Sequence, residues 1–276
     1  MHATRRRWVT SPRRMISSLA VVLVLCTTSV APAAGVAFND NFSVLASDQA
    51  TADAVLAQAE TFRKKIARQW LGKELPAGAG PTMITVVDSR LEDRGLTWPI
   101  DNPNRKYHKV WLTTSPDRAL GSTLHHEITH VVFATQFPHR LPAWVEEGIA
   151  SLSDDAERSQ IRARVIGRLA GAGDWPRLET VFRNPTIPTS HQAEYSIATS
   201  VVEYLLSRAD GATLLRFAAT GRDQGWDRAA QEHYGLPGVG DLQVAWQTWA
   251  AREVGGSTRT VLPASYHSRE GRLRHP

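Results

Sequence analysis

The chain has 276 residues, 42% of them hydrophobic, which is enough for a substantial core in one large domain or two small ones. A net charge of +5 and a pI near 9.6 would suit a nucleic-acid partner, but five of the 32 basic residues (Arg5, Arg6, Arg7, Arg13 and Arg14) lie in residues 1–33, which hold no acid. The rest balances 27 basic against 27 acidic residues, with no basic block outside the C-terminal tail, and this excludes nucleic acid as a partner.

The N-terminus reads as an export signal. Arginines precede an apolar stretch from Met15 to Val30, and Ala31-Pro32-Ala33 fits a small-x-small cleavage pattern, so cleavage is expected after Ala33. The alternative is an uncleaved anchor, and membrane association would then run through this segment. Thr4-Arg5-Arg6-Arg7-Trp8-Val9 faintly resembles a twin-arginine signal. The single cysteine, Cys26, follows Leu25 where a lipoprotein signal wants a small residue, so no lipidation is expected. An exported domain of residues 34–254 holds no cysteine: it has no disulfide, and any metal must be held by histidine and carboxylate. Secretion or residence in the cell envelope follows.

Phe42-Ser43-Val44-Leu45 reads as a short strand. Ser47 or Asp48 then opens a long helix with Ala54, Val55, Phe62, Ile66 and Trp70 at helical spacing, ending before Gly72. A Pro/Gly-rich link, residues 76–81, leads to the β-branched strand Met83–Val87, and residues 88–109 read as loop. Lys109–Thr114 is a further strand, either an ordinary core strand or an edge able to pair with an extended peptide.

The next helix, from Arg118 or Ser122 to Gln136, carries His126-Glu127-x-x-His130. Positions i and i+4 share a helical face, so His126 and His130 can aim two imidazole nitrogens at one metal ion. Glu127 stands where its carboxylate can reach a water at the metal without being a ligand. Leu124, Ile128, Val131, Val132 and Phe133 make this an apolar helix, and buried imidazoles and carboxylates need partners. After Pro138, a second helix starts at Leu141-Pro142-Ala143-Trp144 with proline in its first turn, and continues through Glu146, Glu147, Gly148 and Ala150. One of the two adjacent glutamates should face inward and be paired.

His-Glu-x-x-His followed by Trp-x-x-Glu-Gly-x-Ala resembles the gluzincin zinc metallopeptidases, most closely the bacterial peptidase MA-like group. The likeness is tight over the two motifs and loose over residues 40–250. It implies Zn²⁺ as cofactor, Glu147 as third ligand after His126 and His130, Glu127 as general base to a metal-bound water, and a peptide or protein substrate. Metzincins are excluded, because Phe133 and Gln136 stand where they carry glycine and a third histidine. The thermolysin-like aspartate four residues after the ligand glutamate is replaced by Ser151, so histidine orientation must come from Asp154, Asp155 or a backbone carbonyl. The Gly-x-Met-Glu-Asn signature of large aminopeptidases is absent.

Beyond Asp154 the chain reads as helical: Ile161–Leu169, Trp175–Phe182, a helix capped by Ser190 that buries Ile197, Val201, Val202 and Leu205, then Leu214–Thr220, Trp226–Tyr234 and Leu242–Val254. Trp246 and Trp249 read as core. Tyr195, or His191 second, occupies the place where gluzincins carry a donor to the oxyanion. Residues 255–276 read as a disordered tail. The expected architecture is α+β and zincin-like, a small mixed sheet over the motif helix with a mainly helical C-terminal part across the cleft. Two other readings fit the same sequence, a zinc hydrolase of a non-peptide bond and an exported scaffold that has lost catalysis.

Overall fold

The computed structural model describes residues 34–102, 105–137, 139–188 and 191–257. The chain opens with β1 (Gly35–Phe38), β2 (Phe42–Ala46) and α1 (Gln49–Leu71). Then come β3 (Thr82–Asp88), β4 (Arg94–Asn102), β5 (Arg105–Thr114) and the motif helix α2 (Ser122–Gln136). Helices follow to the end: α3 (Ala143–Ala150), α4 (Ala156–Ala172), α5 (Leu178–Arg183), α6 (Gln192–Arg208), α7 (Gly211–Gln224), α8 (Trp226–Tyr234) and α9 (Val239–Ser257). The fold is mixed α+β. Its one described sheet has strand order β1-β2-β3-β5-β4, with parallel pairs at β2/β3 and β3/β5 and antiparallel pairs at each margin.

Alternation decides which face of the sheet is covered. Phe42, Val44, Ile84, Val86, Val110 and Leu112 point inward, all at most 9% exposed, against α1 and α2. Helix α1 begins where Asp48 accepts from the Thr51 amide at 2.8 Å and stops at Gly72, which takes the left-handed turn (φ 71°). Its buried face includes Arg63, a cation among Ala59, Ile66 and Trp70. The guanidinium donates to the carbonyl of Pro76 at 2.6 Å and lies 3.9 Å from Glu60, tying the Pro/Gly-rich link down to the helix.

Three expectations require correction. Residues 88–109 are not loop, since they contain β4 and the start of β5. The Asp, Arg, Asn and Pro content hid a strand whose period-two signal is present in Leu96, Trp98 and Ile100. Of the two readings of Lys109–Thr114, the interior strand is the one found: β5 lies between β3 and β4, and β4 holds the margin, where Pro99 costs no interior ladder bond. Helix α9 continues to Ser257, past the expected tail start at Gly255. Pro142 precedes α3 as its N-cap rather than sitting inside the first turn. The export signal, Pro138, Ser190 and residues 258–276 fall outside the described residues; among those described, no helix is long and apolar enough to cross a membrane.

His108, on β5, is buried and gives the fold an acid sensitivity. Its Nε2 donates to the Thr135 hydroxyl at 3.1 Å, because that hydroxyl spends its own proton on the Val131 carbonyl at 2.7 Å. Nδ1 has no partner. Burial, with the positive charge of Arg140 second, pushes this imidazole down to about 4. The unfolded chain therefore binds a proton that the native state refuses between pH 6.5 and 4. The stability contribution is complete above pH 6.5 and is lost as the pH falls toward 4, a change on the order of 3 kcal/mol. Urea unfolding at pH 7 and pH 4.5 should show a smaller loss in His108→Gln than in the parent.

Candidate metal centre

Helix α2 is held at its apolar face by Leu124, Ile128, Val132 and Phe133, each fully buried. That packing turns His126 and His130 the other way, with ring centroids 4.9 Å apart. Helix α3 delivers the third side chain. Its anchor is Trp144, fully buried, stacked on Phe182 at 4.3 Å and edge-on to Phe217 and Trp226. Gly148 lets α3 press against α6. A Cβ there would lie 2.6 Å from Val202 and 2.7 Å from the Ala198 carbonyl oxygen. The Trp-x-x-Glu-Gly pattern thus has a packing reason at its first and last residues and carries Glu147 between them.

Glu147 Oε2 lies 3.4 Å from His126 Nε2 and 3.5 Å from His130 Nε2. One donor atom from each of the three residues falls within 4.8 Å of the others. This Oε2 is buried and has no hydrogen-bond donor, and His130 Nδ1 is buried without a partner too. Two imidazoles and one carboxylate converging around a buried oxygen with no proton donor can bind a metal ion. Burial opposes a charge on both Glu147 and His130. Their mutual attraction overrides it, holding the Glu147 carboxyl well below the usual range and raising His130 to about 9. Both adjacent glutamates face inward, where one was expected. Glu146 is buried against Arg140 at 2.8 Å, and burial raises its pKa.

Strand β4 roofs this centre, and its residues escaped the sequence reading. The Thr97 hydroxyl donates to Glu127 Oε2 at 2.5 Å and lies 3.2 Å from the Glu127 carbonyl. Gly95 leaves room for the same carboxylate, since a Cβ at that position would stand 2.3 Å from Oε1. The start of the strand is pinned by Asp93. It accepts from Thr114 at 2.8 Å, from Thr123 at 3.0 Å, and from Arg158 at 3.2 Å.

Arg158 links β4 to the histidines through Asp154, whose Oδ1 lies 3.8 Å from the guanidinium and 4.0 Å from His126 Nδ1. Arg162 grips the other oxygen of Asp154 and donates to the Ser151 carbonyl at 3.0 Å. Of the three orienting groups suggested by the sequence, Asp154 is the one that faces His126; Asp155 caps α4 by accepting from the Arg158 amide at 2.9 Å. Asp154→Asn is expected to weaken metal affinity about 10- to 100-fold, the usual effect of removing a carboxylate behind a ligand histidine. Competition with a fluorescent chelator measures it.

Tyr195, from the first turn of α6, lines the cleft together with Glu127, Glu147 and Arg162. Its hydroxyl donates weakly to the Ile187 carbonyl at 3.4 Å, and burial followed by the Glu147 charge keeps it protonated by raising its pKa. His191 stands apart, exposed and 3.0 Å from Glu194. His125 packs edge-on against Phe62 at 4.7 Å and is pushed down to about 4, chiefly by burial. It does not join the converging group. His233 meets the Thr220 hydroxyl at 2.8 Å and does not line the cleft. No family model and no curated protein matches this chain.

Proposed function

We propose that the chain is an exported zinc-dependent metallopeptidase of the gluzincin type, with a zincin-like arrangement of sheet, motif helix and helical C-terminal half. One observation carries the reading: His126, His130 and Glu147 converge within 4.8 Å beside a Glu127 held by a marginal strand. A sulfur-free donor set of two imidazoles and a carboxylate suits Zn²⁺ with a position left open. When bound, the ion supplies Lewis acidity, polarising a carbonyl and acidifying water.

The protein's own groups do the rest. Glu127 takes the proton of the attacking water and hands it to the leaving amine. The Thr97 hydroxyl holds Oε2 of that carboxylate, and the bare Gly95 leaves space at Oε1. Tyr195 donates its proton in a hydrogen bond to the oxyanion. The free margin of β4 offers backbone groups for an extended peptide, which would lie along the cleft as one more strand. Digestion of casein and a peptide library, read by mass spectrometry, tests this. Cleavage that stops on chelation and returns with zinc is the expected result. A protein that binds one zinc and cleaves no peptide would overturn it in favour of a different bond or a scaffold.

A further inference from the structure

The sheet has a second face, and no described element covers it. Eight of the eleven large apolar side chains exposed among the described residues stand there. Strand register sorts them into rows. Val36, Leu45, Thr85, Trp111 and Leu96 are successive partners across all five strands; Phe38, Ser43, Met83, Lys109 and Trp98 form the next row. Phe38 is 76% exposed and Trp98 60%. With Trp111, these rings alone present on the order of 300–400 Å² to solvent, before Val36, Leu45, Met83, Val87 and Leu96 are added, so the patch exceeds what a soluble surface ordinarily leaves bare.

We propose that this face docks on a lipid bilayer bearing anionic headgroups. The two rows hold one charge, Lys109, set between Met83 and Trp98; the next row, Val87, Thr113 and Arg94, adds a second cation, paired with Glu92 at 2.8 Å. Face-to-face packing of two copies would bring two lysine-bearing surfaces together with no unpaired carboxylate to answer Lys109, whereas anionic headgroups supply one. Tryptophan flanking a lysine stem, with Ser43 and Thr85 among the apolar side chains, is the composition that settles at the boundary between headgroups and acyl chains. The proposal stands whether or not the cleft is catalytic.

The test uses the full chain with Cys26→Ser and a single environment-sensitive label at Met83→Cys, beside a control label at Val244→Cys on α9. Vesicles are phosphatidylcholine with 30% phosphatidylglycerol, or phosphatidylcholine alone. The Met83 label is expected to shift to the blue on the anionic vesicles and to be quenched by brominated lipid, with the Val244 label silent. Lys109→Glu, on an exposed strand face, should raise the lipid concentration at half-effect about tenfold. A silent Met83 label on vesicles that carry the chain through its N-terminal segment would overturn the proposal. So would an equal shift on neutral vesicles, or a shift that follows protein concentration without lipid, which would mark the face as an interface between copies.

Discussion

Glutamine in place of Glu127 is expected to leave the metal content unchanged and to lower peptide hydrolysis about 1000-fold. The reasons for the two halves are separate. Glu127 is not one of the three converging donors, so the ion keeps His126, His130 and Glu147. Glutamine has nearly the same shape, its amide oxygen can still accept from Thr97, and the bare Gly95 still leaves it room. What is lost is the capacity to take a proton, and a positioned general base contributes about 10²- to 10⁴-fold. Metal analysis and initial rates on one preparation decide the matter. Undiminished hydrolysis by a metal-loaded Glu127→Gln protein would remove the residue from its role.

Glu147→Ala is expected to cost the site its metal. The substitution removes the only anionic donor and leaves two imidazoles on one helix, too few for a stable zinc site. Loss of a carboxylate that merely orients a ligand costs about 10- to 100-fold, so loss of a ligand should exceed about 100-fold. The raised proton affinity of His130 depends on the same carboxylate and should collapse with it. Helix α3 should survive, because Trp144 and Gly148, not Glu147, set its packing. Metal per chain after dialysis against a weak chelator measures the effect, and circular dichroism checks the fold. Full retention of zinc would place the third ligand elsewhere and undo the gluzincin reading.

The parts of this molecule legible in the sequence are those where one residue type has one reason to be present. Helical spacing put His126 and His130 on one face, the apolar flank of α2 marked it as buried, and Glu147 was reachable through its neighbours Trp144 and Gly148. Strand β4 was harder to read. Gly95 and Pro99 are poor strand formers, and Asp93 and Arg94 resemble loop residues. Each is there for the sake of something distant in sequence: Gly95 for Glu127, Asp93 for Thr123 and Arg158. Local propensity carries no record of such partners. The inward turn of Arg63 escaped for the same reason, since the carbonyl groups it satisfies belong to the link that follows its helix.

Strand β4 also constrains how this protein can change. Odd positions, Gly95 and Thr97, serve the carboxylate; even positions, Leu96 and Trp98, serve the outer surface. Point substitutions can therefore remodel one face of the strand and leave the other alone. A change of length cannot. One residue inserted between Asp93, pinned by Arg158, and Gly95 would invert every side chain that follows. The isobutyl group of Leu96 would then press on Glu127, and Thr97 would replace an aromatic ring at the surface. A single-codon insertion there would displace the Glu127 contacts and the outer surface in one event.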